Sequence, residues 1–230
     1  MARGPLPPGT LRSPRDLAPL IDHTLLRPGA TGAEVERLCR EALQHAFAGV
    51  CVRLEHVALV AARLSGSAVL PVAVVDFPLG QGGTPARADE ARAARDAGAR
   101  EVDVVLPLPA FRALRHREVV ADLAAVVAAA GQAEVKVILE TAALSPAERA
   151  MAAALAVAAG AAWVKTSTGF GPGGATAEDV ALLRACVGPA VGVKASGGIR
   201  TAADARRMAE AGASRIGCSA SVAIVEAATF

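Results

Sequence analysis

Tyrosine is absent from the 230 residues, tryptophan occurs once and phenylalanine five times. So few aromatics leave little for stacking on nucleic-acid bases, and no tyrosine is available as a catalytic acid. Cysteine is scarce too. Cys39, Cys51, Cys186 and Cys218 lie far apart with no Cys-x-x-Cys, which indicates neither a zinc site nor a disulfide framework and fits a reduced, cytoplasmic setting. Charge of one sign is not in excess. The net charge is +2, and Arg and Glu recur three or four apart along helical segments, the pattern of solvated helix faces rather than of a nucleic-acid or membrane patch. No apolar run can span a bilayer: the most apolar stretch, residues 150–164, is too short and contains Gly160. The first 19 residues carry Arg, Pro and Gly but no apolar core, unlike a signal peptide or an anchor. Residues 1–15 read as a flexible arm and 16–230 as one domain.

What is present alternates. Short β-branched runs at 20–25, 49–52, 70–75, 101–106, 135–139, 162–165, 190–194 and 214–218 are separated by Ala/Leu/Arg/Glu segments of helical spacing. Thr31 with Glu34 and Ser145 with Glu148 read as capping boxes, the second with proline at the first helical position. Thr84 and Thr201 read as further N-caps. Ala97-Gly98-Ala99, Ala159-Gly160-Ala161 and Ala211-Gly212-Ala213 each close a helix and open a strand. Eight such units predict a single-domain α/β fold of the (β/α)8 barrel type, a TIM barrel. No Gly-x-Gly-x-x-Gly follows the first strand, as an open nucleotide-binding sheet would favour.

In a barrel the chemistry collects at the carboxyl ends of the strands. Those ends bring Asp22-His23-Thr24, Cys51-Val-Arg53, Asp76, Asp103, Glu140-Thr141, Lys165-Thr166-Ser167-Thr168, Lys194-Ala-Ser196 and Cys218-Ser219 to one mouth. Lys165 and Lys194 stand out, each closing an apolar strand just before a glycine-containing loop. Burial and a neighbouring ammonium both lower a lysine pKa, and an amine brought to roughly 7–8 attacks carbonyls to form a Schiff base. The plain alternative is that each lysine caps its strand and reaches solvent. Strand parity sends Asp103 into the barrel, either as an ion-paired proton carrier or as a strand-end carboxylate satisfied locally. The loops after strands seven and eight, with Gly197, Gly198 and Ser219, are the usual phosphate site of such barrels. The four histidines form no metal-ligand spacing, and a lysine electron sink calls for no metal and no cofactor.

The chain resembles the deoxyribose-phosphate aldolase family over roughly residues 16–227. The resemblance rests on Leu20-Ile-Asp-His-Thr-Leu-Leu26, Phe77-Pro-Leu-Gly80, Glu101-Val-Asp-Val-Val105, Val135-Lys-Val-Ile-Leu-Glu-Thr141 and, above all, the pair Lys165-Thr-Ser-Thr-Gly169 and Lys194-Ala-Ser-Gly-Gly198. It implies a class I aldolase that reversibly cleaves 2-deoxyribose 5-phosphate to acetaldehyde and glyceraldehyde 3-phosphate. It further implies Lys165 as the Schiff-base lysine, Lys194 as its pKa-lowering neighbour and Asp103 in proton transfer. Asp22, Thr24, Cys51 and Thr168 would contact substrate, and Gly169, Gly197, Gly198 and Ser219 would hold the phosphate. Two other readings stand beside it: a lysine-dependent lyase of another phosphosugar, and a catalytically silent barrel that binds a sugar phosphate. Related barrels often form dimers, and the arginine-rich helix faces neither support nor exclude a homodimer; small phosphorylated sugars and aldehydes are the only other expected partners.

Departures from the family pattern carry expectations of their own. Asp76 stands where glycine is expected and would add charge near the mouth. Arg53-Leu54 and Leu106-Pro107 replace polar endings, and the eighth loop reads Cys218-Ser-Ala-Ser221. A tyrosine found at the end of some members is missing, and this chain ends at Phe230. Cys51, beside two lysines, would be a reactive thiolate if it faces the mouth, or an inert buried residue otherwise.

Overall fold

The computed structural model describes residues 3–7 and 9–230. Eight parallel strands close on themselves in sequence order: β1 (Ile21–Leu25), β2 (Gly49–Val52), β3 (Leu70–Val75), β4 (Glu101–Val105), β5 (Glu134–Ile138), β6 (Trp163–Lys165), β7 (Gly192–Ser196) and β8 (Arg215–Cys218). Around them lie α1 (Gly32–His45), α2 (Val57–Arg63), α3 (Thr84–Asp96), α4 (Leu108–Arg112), α5 (His116–Ala130), α6 (Pro146–Ala158), α7 (Ala177–Val187), α8 (Ala202–Glu210) and α9 (Ser221–Val225). This is the (β/α)8 barrel that the alternation predicts.

Local signals explain the element boundaries. Thr31, Ser145 and Thr201 each accept from the backbone amide three residues on, while Glu34, Glu148 and Asp204 reach back to the cap amide. Each such cap stabilises its helix by about 1 kcal/mol. Gly98, Gly160 and Gly212 have φ of +102°, +90° and +113°, the left-handed turn that stops a helix and starts the next strand. Thr84 is the exception among the expected caps. Gly83 is the cap residue of α3, and the Thr84 hydroxyl donates instead to Asp122 Oδ1 at 2.7 Å.

Parity divides each strand between two cores. Outward residues such as Ile21, Val50, Val52, Ala73, Val102, Val104, Val164 and Val193 pack under the helices in one continuous apolar layer. Inward residues fill the barrel. On the β2–β3 side they are apolar, with Cys51, Val72 and Val74 beneath Leu26 and Phe77. On the remaining strands the interior is charged. At the foot of the barrel Trp163 occupies the space above Gly192, where an added Cβ would lie 1.8 Å from the indole, so only glycine fits there.

Of the segment read as an arm, residues 1, 2 and 8 lie outside the described residues, and Arg3 lies against this foot. The Arg3 guanidinium pairs with Glu134 at 2.5 Å, and the Arg3 carbonyl accepts from Ser214 Oγ and Arg184 Nη2. Residues 14–20 form a 3-10 helix that buries Leu17 completely. No helix among the described residues is long and apolar enough to cross a membrane.

Candidate active site

The charged half of the barrel interior is one network of four cations and three carboxylates. Asp103, fully buried on β4, is its hub. Its Oδ1 accepts from Lys136 Nζ at 2.9 Å, and its Oδ2 accepts from both Lys165 Nζ at 2.9 Å and Lys194 Nζ at 2.8 Å. Lys194 also donates to Asp22 Oδ2 at 2.5 Å. Arg215 bridges Asp22 at 2.7 Å and Glu101 at 2.9 Å, and Lys136 pairs with Glu101 at 2.6 Å. Gly217 makes room for this arrangement, since a Cβ there would lie 2.9 Å from Lys194 Cε.

Burial opposes every charge in the network, and the partners overcome it. Burial raises the Asp103 carboxyl, but Lys136, Lys165 and Lys194 together hold it well below the usual carboxylate range. Asp22 is likewise held low by Arg215 and Lys194 against its burial. Burial lowers Lys194, and Asp103 and Asp22 more than reverse this, so its pKa rises. Lys136 rises for the same reason, through Asp103 and Glu101. The expectation that burial would lower the pKa of both sequence-marked lysines therefore fails for Lys194, which is pinned as an ammonium by two carboxylates.

Lys165 differs from the other two in its surroundings. It touches a single carboxylate oxygen, one that it shares with Lys194, and it is the only lysine that lines the mouth cavity of about 410 Å³. The amine that reaches the cavity is the one a carbonyl can meet.

Thr24, Thr168, Gly169, Gly197, Gly198 and Ser219 line the same cavity. Gly169, Gly197 and Gly198 all have φ between +75° and +89°, so these loops present bare backbone to the cavity. Arg27 and Arg200 line it as well and bring guanidinium charge that the sequence reading missed. The hydroxyls of the two lysine motifs mostly serve the loops themselves. Thr166 Oγ1 donates to the Ser196 carbonyl at 3.0 Å, Ser196 Oγ donates to the Ser167 carbonyl at 2.5 Å, and Thr168 Oγ1 donates to Glu140 Oε2 at 2.5 Å.

Asp22, Asp103 and Lys194 are fully buried and do not line the cavity; they reach it through Lys165, whose nitrogen bonds to Asp103. Among the described residues, no group of three or more His, Cys, Asp or Glu side chains is placed to hold a metal ion.

The sequence profile of the DeoC/LacD family aldolases matches residues 17–225. The chain belongs to this aldolase family. It is 51% identical to the deoxyribose-phosphate aldolase of Coprothermobacter proteolyticus over 90% of its own length and 94% of that relative's. It is 50% identical to the Bacillus subtilis deoxyribose-phosphate aldolase over 91% of this chain and 95% of that one. Its fold superposes with a TM-score of 0.87 on the tetrameric deoxyribose phosphate aldolase of Aeropyrum pernix, at 36% identity, covering 94% and 92% of the two chains.

In this aldolase the departures from the family pattern have structural accounts. Asp76 holds φ at +51°, a conformation in which glycine is at ease. Its carboxylate accepts from Arg87 Nη1 at 2.6 Å and from the Gly82 amide at 2.9 Å, so its charge is engaged inside the β3–α3 loop and adds little to the mouth. Arg53 donates through Nε to the Leu26 carbonyl at 2.9 Å and lies over the Phe77 ring, tying the first three loops together. Phe230 packs under the Arg206 guanidinium and does not line the mouth cavity.

Of the four expected substrate contacts the cavity includes Thr24 and Thr168 but neither Asp22, which is held in the buried network, nor Cys51. Cys51 faces the barrel interior, as parity requires, but burial pushes its thiol up to about 11 against the pull of Lys194. The thiolate expectation yields to the inert alternative. Burial also pushes Cys39 and Cys218 up to about 11, and only Cys186 is exposed. Treating the folded aldolase with iodoacetamide at about pH 8 is expected to label Cys186 alone, as read by peptide mass spectrometry. Label on Cys51 before unfolding would restore it as a reactive group.

Sequence reasoning missed Lys136, Glu101 and Arg215 in the network. The signal for Lys136 was available, because the chain has only three lysines against 21 arginines. All three converge on Asp103.

Proposed function

We propose that this aldolase cleaves 2-deoxyribose 5-phosphate reversibly to acetaldehyde and glyceraldehyde 3-phosphate through a Schiff base on Lys165. The observation that carries this reading is the placement of Lys165 as the single lysine at the cavity, with its nitrogen on the same Asp103 oxygen as Lys194. The Lys165 amine adds to the C1 aldehyde of the open-chain sugar, and loss of water gives the iminium. The C3 hydroxyl gives up its proton as the C2–C3 bond breaks. Glyceraldehyde 3-phosphate leaves, and the bond's electrons pass into the enamine on Lys165. Protonation at C2 and hydrolysis then release acetaldehyde.

Asp103 would accept and return protons at Lys165, whose nitrogen lies 2.9 Å from its Oδ2, while Lys136 and Lys194 favour its charged form. At the other end, Gly169, Gly197, Gly198 and Ser219 surround the space for the phosphate, where backbone amides suit an anion and Arg27 and Arg200 add charge. Thr24 and Thr168 flank the carbon chain, while Asp22 acts through Lys194. The reading includes a cytoplasmic setting, a homodimer, and neither metal nor cofactor.

Incubation with 2-deoxyribose 5-phosphate tests it. Acetaldehyde and glyceraldehyde 3-phosphate should appear in equal amounts, with no requirement for added metal. Cleavage of a different phosphosugar in preference would favour the other lysine-dependent lyase. Binding without any imine trapped by borohydride would mark a silent barrel.

A further inference from the structure

His23 faces away from the barrel interior and belongs to none of the groups described so far. It is buried between β1 and the outer helices, where its imidazole makes two hydrogen bonds of 2.8 Å, from Nδ1 to Ser221 Oγ and from Nε2 to Glu41 Oε2 on α1. The Phe47 ring closes on it edge to face at 5.3 Å. Ser221 is fully buried as the first residue of α9, and only Ser219 and Ala220 separate it from Cys218, the last residue of β8. His23 and Cys218 are paired neighbours across the β1–β8 ladder.

We propose that His23 is a positioning residue for phosphate binding, which fixes the short β8–α9 loop, and Ser219 within it, by anchoring Ser221 to β1 and α1. The inference rests on the aldolase reading and on the cavity-lining place of Ser219.

The Ser221 hydroxyl has two acceptors in reach, His23 Nδ1 at 2.8 Å and the Cys218 carbonyl at 3.1 Å, and the shorter contact sets the direction of the chain. Burial lowers the His23 pKa more than Glu41 raises it, so the ring is neutral near pH 7. A carboxylate faces Nε2, so that nitrogen carries the proton and donates to Glu41, leaving Nδ1 to accept from the Ser221 hydroxyl. The opposite tautomer would set a lone pair against the carboxylate. Cys218 keeps its proton, since burial raises it to about 11, and its Sγ lies 3.4 Å from Ser221 Oγ as a weak donor to that oxygen. Every group in the run Cys218–Ser221–His23–Glu41 thus has a partner, and the run crosses from the end of β8 through β1 to α1. A two-residue loop held at its far end in this way presents Ser219 to a phosphate already in place, so binding does not have to order the loop.

An inert core histidine would satisfy the same distances, and a substrate comparison separates the two. KM and kcat are measured on 2-deoxyribose 5-phosphate and on unphosphorylated 2-deoxyribose for the parent, Ser221→Ala, His23→Asn and His23→Gln. Asparagine places a polar atom near the Nδ1 position and keeps the Ser221 link to β1, whereas glutamine reaches toward Glu41 and leaves Ser221 held only by Cys218 within its own loop. Ser221→Ala and His23→Gln should raise KM for the phosphorylated sugar roughly three- to tenfold, with kcat and the unphosphorylated reaction unchanged, and His23→Asn should stay close to the parent. Equal losses on both substrates, or identical behaviour of the asparagine and glutamine variants, would overturn the proposal. Ser221→Ala removes a single atom, so it keeps the test intact if the histidine variants fold poorly. Failure of the aldolase reading itself would be seen separately, as absence of cleavage by the parent.

Discussion

Replacing Lys165 with alanine should abolish both cleavage and imine trapping while leaving the barrel folded. With the amine gone, no iminium can form, and removal of a covalent nucleophile lowers turnover on the order of 10⁴-fold or more. The fold should tolerate the change because Asp103 keeps Lys136 and Lys194 as partners, and the truncated side chain opens into an existing cavity. In the parent, borohydride with acetaldehyde should leave an ethyl group on Lys165 and on no other residue, read by peptide mass spectrometry. Label on Lys194 would reverse the roles of the two lysines. The structure argues against that outcome, since Lys194 is fully buried between two carboxylates.

Asp103→Asn should be costly in two ways. Its charge answers three ammonium groups at once, and the interior already holds four cations against three carboxylates. Breaking a buried ion pair by removing one partner costs about 3–5 kcal/mol, so the urea midpoint at neutral pH should fall sharply, and turnover should fall with it. A double variant that also carries Lys136→Met removes one of the stranded charges and should recover part of the loss. The acid limb of stability should change as well. The folded-state pKa of Asp103 is depressed, so its contribution is complete above the unfolded carboxyl value of about 3.9 and is lost as pH falls toward the folded value. The parent should therefore lose stability progressively below about pH 4, and the asparagine variant should show a flatter acid limb from a lower plateau. A variant as stable as the parent at neutral pH would mean that Asp103 does not balance this network.

Much of this architecture could be read from the chain. Strand positions followed from β-branched runs, three of them opened by Ala-Gly-Ala turns, and the inward direction of Asp103 followed from strand parity alone. Boundaries were less legible. β7 starts at Gly192 and runs on to Ser196, two residues later at each end than the apolar run suggests, because the Thr166 hydroxyl and the Ser196 backbone bond to each other and extend the ladder past Lys194.

The site was legible at its rim and not in its buried network. A rule that looks for chemistry at strand ends finds Lys165 and Lys194 but passes over Lys136, Glu101 and Arg215, which point inward from the middle or the start of their strands. Parity would have turned Lys136 inward between Val135 and Val137. The charge state of Lys194 could not have been read this way, because it depends on Asp22 from β1 and Asp103 from β4 meeting one nitrogen on β7. Cys51 failed for a similar reason. The sequence brought lysines near it, but only the packed interior says that burial outweighs them.

The confinement of all three lysines to the barrel leaves an outer surface whose permanently charged basic side chains are all arginine. Guanidinium groups stay protonated and do not condense with simple aldehydes as amines do. A protein that handles acetaldehyde thus presents its substrate with no amine on its exterior except the chain's own terminus. Amine-coupling resins and dialdehyde cross-linkers will accordingly find almost no purchase on the folded protein, and immobilising it will require carboxyl chemistry or the exposed thiol of Cys186.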